Sequence, residues 1–142
     1  MTIKTYNGNI SQPLKEENIF YIQSHGLHAG RPLKKPIANC WEIRTKLSFA
    51  FEILTIVFES RILETFLLGS VIPFLRLEDY KKIITPILNN AYNDDKINQK
   101  YLQLEKIEKQ LKIGEQTHSI LKELKRTICL QAMKEIKEKT PL

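Results

Sequence analysis

From Asp94 to Thr140 the sequence is patterned as helix, with its apolar residues confined to one stripe, and such a stripe needs a second helix to cover it. Ile97, Leu104 and Leu111 recur at seven-residue intervals with Tyr101 on the same side, and Leu121 and Ile128 repeat the interval. Leu124 extends the stripe and Ile136 continues its end, while Asp94 or Asp95 is placed to cap the first turn. Gly114 interrupts the run, which predicts a kink or a tight reversal there. Tyr101, Leu104, Leu111, Leu121, Leu124 and Ile128 are therefore the candidate partner-binding residues, for a helix of the same chain or of another.

The rest of the 142 residues has room for one domain with one core. Apolar residues make up 42% and charged residues 27%, a globular balance. The most apolar stretch, Leu47 to Leu68, is long enough to raise a membrane span. Glu52, Glu59, Arg61 and Glu64 interrupt it, and charges at bilayer depth cost about 2.5 kcal/mol or more each. A buried core helix is expected instead. Ser48 is its candidate cap, Phe49, Ile53, Leu54, Ile56, Val57, Leu63 and Leu67 repeat at helical spacing, and Gly69 offers a left-handed stop. Apolar residues nearly all round its circumference predict a helix held between two layers.

Before that helix, residues 1–20 are polar, with Asn7-Gly8-Asn9 as a turn and Pro13 as a breaker. Residues 19–24 and 40–44 are strand candidates, the first rich in β-branched and aromatic residues, the second alternating. Between them, residues 24–36 hold two glycines and two prolines, which predicts an irregular loop. After the helix, residues 70–76 are expected to be extended with Pro73 at an edge, 78–84 a helical turn, and 85–88 extended again. Asn89, Asn90, Asn93, Asp94 and Asp95 form the expected linker. The fold class is thus α+β, a small sheet packed on a buried central helix and followed by a long C-terminal helical arm. The head spans 1–90 and the arm 91–142.

Net charge is +6 and unevenly spread. Residues 1–46 hold seven Lys/Arg against three acids (+4), residues 47–90 four against five (−1), and residues 91–142 eleven against eight (+3). Basic ends around a near-neutral middle suit contact with a polyanion. Arg31-Pro32-Leu33-Lys34-Lys35-Pro36 is the sharpest local element, because prolines hold the backbone extended while three cations project. Arg31, Lys34, Lys35, Arg44 and His28 are accordingly the candidate DNA-binding residues.

No catalytic constellation is complete. His25 and His28 sit three apart, but a metal site needs three or four ligands, and His118, Cys40 and Cys129 lie elsewhere in the sequence. No metal or other cofactor is therefore expected. Gly26-Leu27-His28-Ala29-Gly30 lacks the Lys-Ser/Thr ending of a phosphate loop and opens no helix. Cys40 beside Trp41 in a half-buried strand is a packing residue before it is a nucleophile. Residues 1–10 carry no apolar leader and the two cysteines are distant, which predicts reduced thiols in the cytoplasm.

Two segments together resemble a known family. Residues 49–88 run through Phe58-Glu59-Ser60, Phe66-Leu67-Leu68-Gly69-Ser70-Val71-Ile72-Pro73-Phe74-Leu75, Glu78-Asp79-Tyr80-Lys81-Lys82-Ile83 and Thr85-Pro86-Ile87. That order resembles the second half of a target recognition domain in the specificity subunits of type I restriction–modification enzymes. The tail from Glu115-Gln116 through Ile120 to Ile128 is similar to the coiled-coil spacer that follows such domains. Residues 20–41 also resemble small uncharacterised proteins of Bacteroidota mobile elements. The first resemblance implies a reduced, single-module relative: a recognition head that reads the major groove through a loop, by position residues 26–36. It also implies a helical arm that docks on a methyltransferase-type subunit or on a second copy. Together these readings give a non-catalytic module for double-stranded DNA. The rival is a protein–protein adaptor or inhibitor from a mobile element, in which the arm acts and the charge is incidental. A small enzyme with a reactive Cys40 is the third.

Overall fold

The structure, a computed structural model, describes residues 1–9, 12–91 and 94–140. In chain order these form β1 (Thr2–Thr5), β2 (Asn18–Gln23), β3 (Pro32–Leu33), β4 (Cys40–Thr45), α1 (Ala50–Glu59), a 3-10 turn (Glu64–Phe66), α2 (Leu77–Ala91) and α3 (Asp95–Lys139). The strands make one antiparallel sheet in the order β1-β4-β2-β3. The chain divides into two compact units, Met1–Tyr101 and Leu102–Leu142.

The first unit is an α+β head whose sheet buries one face against two helices. Side chains alternate along a strand, so the register decides which residues share the core face. Ile3 pairs with Ile43 and Ile43 with Phe20, while Trp41 pairs with Ile22. All five are buried. Against them α1 presents Ala50, Ile53, Leu54 and Val57, the spacing of a single helical face. α2 presents Tyr80, Ile84 and Leu88, every fourth residue. Leu63, Leu75 and Ala29 complete the core, and Ile97, from the first turn of α3, packs against it. β4 is buried along nearly its whole length because it has a neighbour on each side and groups over both faces. On the face away from the core, Tyr6 lies edge-on to Tyr21 with ring centroids 5.5 Å apart.

Several local expectations are corrected. Ser48 does not cap α1: the helix starts one residue later, behind Phe49 in a left-handed conformation (φ 63°), with no side-chain cap. Nor does α1 reach Gly69. The Ser60 hydroxyl donates to the Val57 carbonyl (2.7 Å), and Arg61 turns left-handed (φ 63°), which ends the helical hydrogen bonding in mid-run. Phe51, Ile56 and Phe58 remain half-buried, so one face of α1 meets the core while the remainder is only partly covered. Gly69 (φ 94°) instead forms the turn after Leu68, whose N–H and carbonyl both bond to Phe74 at 2.9 Å. Residues 78–88 are one helix rather than a turn and a strand. Pro86 sits inside α2 on its exposed side, and burial of Ile84 and Leu88 on the opposite side outweighs the missing N–H bond. Asn89 and Asn90 belong to this helix, while Asn93 of the expected linker lies outside the described residues. β1 rises from the segment expected to be irregular, and Pro32–Leu33 forms a short strand at the sheet edge, where a proline is tolerated.

Gly30 (φ 95°) closes the β2–β3 connection, donating its N–H to the Gln23 carbonyl at 2.6 Å. A Cβ there would collide with Leu63 Cδ1, so both the backbone angle and the space require glycine. Tyr80 is fully buried beside Trp41, ring centroids 5.3 Å apart, and its hydroxyl has no hydrogen-bond partner among the described residues. Burial pushes that phenol far above the usual tyrosine range. An orphaned buried hydroxyl is a net cost, so Tyr80→Phe is expected to stabilise the head by about 1 kcal/mol in urea unfolding. Equal or lower stability would mean that the hydroxyl is satisfied.

The second unit is the remainder of α3. Asp94 caps this helix, its Oδ1 accepting the Lys96 N–H at 2.9 Å. Of the kink or tight reversal expected at Gly114, the reversal does not occur, because α3 runs unbroken from Asp95 to Lys139 and Gly114 keeps a negative φ. None of its residues is buried. No helix among the described residues is long and apolar enough to cross a membrane.

Candidate binding surfaces

Two surfaces gather the residues singled out in the sequence. The first surrounds the β2–β3–β4 connections of the head. Arg31, Lys34 and Lys35 are all exposed, and among the described residues none joins an ion pair. Arg31 Nη2 donates to Gln23 Oε1 at 3.3 Å. The Lys34 ammonium lies 5.8 Å from the centre of the Phe51 ring, a cation–π distance. Lys34 thereby borders a groove of about 390 Å³ that also takes in Asn18, Phe20, Leu47, Phe49 and Glu52. The groove ends at the uncapped start of α1, so its walls mix one cation, backbone N–H groups, one carboxylate and aromatic carbon.

Arg44 does not belong with these free cations. Its Nε lies 2.8 Å from Glu42 Oε1 and its Nη1 3.5 Å from Glu17 Oε2, and the Glu42 hydrogen bond raises the guanidinium above its ordinary pKa. Arg44 is therefore charge-paired within the head, unlike the three exposed cations of the β3 segment. His28 is exposed, its ring and that of Phe58 are nearly perpendicular with centroids 6.4 Å apart, and its carbonyl accepts the Arg31 N–H at 3.0 Å.

The chemistry-bearing side chains nearby are engaged structurally. Ser24 is buried, and its hydroxyl donates to the Asn39 carbonyl at 2.6 Å while His25 Nδ1 lies 2.8 Å away. With the hydroxyl hydrogen committed to Asn39, His25 donates to Ser24 rather than abstracting from it. His25 also stacks on Phe74 (5.6 Å), and Gly26 N–H and Leu75 N–H bond across the same junction, so this cluster clasps two loops. Cys40 is buried, and burial pushes its thiol up, away from the thiolate that a nucleophile requires. Among the described residues no group of three His, Cys, Asp or Glu side chains is placed to hold a metal ion.

The second surface is α3 beyond Tyr101. Because the helix is continuous, Leu104, Ile107, Leu111, Gly114, His118, Leu121, Lys125 and Ile128 follow one another at alternating steps of three and four and share one face. Ile107, Leu111, Leu121 and Ile128 in that row are each more than half exposed. Ile107 was absent from the expected stripe, since a break at Gly114 hides its link to Leu121, which lies two seven-residue steps away with Gly114 between them. Tyr101 and Leu104 are half-buried. Leu124 sits between this row and a second, shorter one made with Ile113 and Ile120, so the apolar residues are not confined to a single stripe. The absent side chain at Gly114 leaves a notch on the first row, bordered by Ile107, Leu111 and His118.

Comparison with known proteins adds one result. No curated protein and no solved structure matches the chain. Residues 3–131 match a protein family described as a family of unknown function, DUF6943, a span that takes in the sheet, α1, α2 and most of α3. The chain belongs to the DUF6943 family.

Proposed function

We propose that the protein is a non-catalytic binding module that acts by docking the Leu104–Ile128 face of α3 on another helix. The observation behind this reading is that Ile107, Leu111, Leu121 and Ile128 share that face, each more than half exposed, along a helix with no buried residue. Burying one such side chain contributes about 1.5–3 kcal/mol, so the row is a store of association energy that a lone helix leaves unused. The test is amide hydrogen exchange of residues 102–140 in the full chain across a dilution series, alongside sedimentation. Protection that rises with the associated fraction supports docking. A monomer with a protected arm contradicts it.

A second reading, in which the head contacts double-stranded DNA, is favoured by three exposed cations on a proline-held segment, none in an ion pair among the described residues, and by the resemblance to restriction–modification specificity subunits. In that case the arm's partner is a methyltransferase-type subunit or a second copy. Phosphate contacts release condensed counterions, so replacing Lys34 and Lys35 by Ala is expected to reduce the slope of log K against log salt by about 2. Because such contacts position without reading bases, the loss is expected to be alike across DNA sequences. Absence of duplex binding by the intact protein at low salt would leave the adaptor reading alone. Two free cysteines fit a reducing compartment, and on that ground we assign the protein to the cytoplasm.

A further inference from the structure

The order of residues along the exposed row of α3 selects a particular partner and direction. Side chains at alternating steps of three and four form the layers of a two-helix coiled coil, so a proposed pairing is judged layer by layer. In a parallel pair each residue meets its own copy. Gly114 then faces Gly114 across an unfilled gap, His118 faces His118, and Lys125 faces Lys125 as like charges in the seam. Each of these layers is unfavourable.

Reversing one helix removes all three conflicts. With the two-fold axis midway between Gly114 and His118, Leu104 meets Ile128 of the second copy, and Leu111 meets its Leu121. The imidazole of His118 enters the notch left by the second copy's Gly114, where an added Cβ has no atom within 4 Å. Lys125 lies with its aliphatic stem on Ile107 and its ammonium toward water. Each layer occurs twice, because the pairing is symmetric.

Charges beside the seam set the register. In this alignment Glu108 flanks Lys122 of the second copy, twice, and the one like-charge pair, Glu115 with Glu115, has the two His118 rings next to it. Sliding by one heptad in one direction puts Glu108 against Glu115 of the second copy, twice. Sliding the other way puts Leu104 against Glu135. The seam from Leu104 to Ile128 is about 36 Å long at 1.5 Å per residue, or roughly three and a half heptads, the length over which a coiled-coil repeat becomes a recognisable signal.

We infer that two copies of the chain pair antiparallel through α3, centred between Gly114 and His118, with each His118 seated over the other copy's Gly114. This rests on the reading of α3 as a docking face, and it names the occupant.

The test uses the two cysteines as they stand. Cys129 is exposed and Cys40 buried, so a nitroxide spin label applied to the folded full chain attaches at Cys129, and Cys129→Ser provides the unlabelled control. In the proposed register Cys129 lies opposite position 103 of the second copy, which gives a label separation of about 40 Å from the helical rise. Adjacent registers give about 30 or 50 Å, and a parallel pair less than about 20 Å. A dominant distance near 40 Å in a dimer supports the proposal. Any of the other distances overturns it while leaving helix docking standing. No dipolar coupling, with a monomeric mass and freely exchanging amides in residues 102–140, overturns pairing with a second copy but leaves another helical partner. A monomer with a protected arm overturns both.

Discussion

Replacing Leu111 and Leu121 together by Asn is expected to abolish association while leaving the head folded. Both side chains are about three-fifths exposed on the isolated helix, at 62% and 58%, so nothing within α3 depends on them. In the antiparallel pair each contributes to a layer twice, and four buried leucines are lost at once. At a conservative 1.5 kcal/mol each, the loss is about 6 kcal/mol, or roughly four orders of magnitude in the dissociation constant. Sedimentation at micromolar concentration is expected to show a monomer, with Trp41 fluorescence and the unfolding temperature of the head unchanged. A variant that keeps the parent's mass would place the interface elsewhere. If the head unfolds as well, these residues support the fold rather than a partner.

The second large effect lies in the core. Leu54 is fully buried in α1 among side chains of the sheet and α2. Leu54→Ala removes that packing and leaves a cavity that a close-packed interior closes only in part, at a cost of about 3 kcal/mol. For a unit of this size, the unfolding temperature of the head is expected to fall by about 15 °C. Trp41, the only tryptophan, packs on Tyr80 in the same core and reports the transition by fluorescence. A shift of less than about 4 °C would contradict the placement of α1 across the sheet.

Much of this was legible before the fold was known, and the failures have definite physical causes. β2 and β4 stood out because β-branched and aromatic residues crowd short runs bounded by loops. β1 escaped because Thr2-Ile3-Lys4-Thr5 buries only Ile3, and a strand at a sheet edge needs little more. The run from Leu47 to Leu68 looked like one helix because apolar periodicity carries no trace of the left-handed turn at Arg61. Residues 85–88 read as extended around Pro86, yet burial of Ile84 and Leu88 on either side of it keeps α2 intact. At the binding surfaces, the exposure of Arg31, Lys34 and Lys35 follows from their proline-bounded segment. The engagement of Arg44 depends on Glu17, 27 residues away, and on which face of β4 Glu42 shares, so it required the register. In α3 the cap at Asp94 and the principal leucines were readable, whereas the full row emerged only once Gly114 proved to lie inside a continuous helix.

If α3 beyond Tyr101 is a docking face, hydrogen exchange in residues 102–140 of the full chain must change as the protein is diluted through its association range. If the row is covered by another helix, amide protection at Leu111, Leu121 and their neighbours falls as the dimer dissociates, while protection in β2, β4 and α1 stays constant. Arm amides that remain equally protected in a demonstrated monomer would show that α3 needs no partner and is not a docking face.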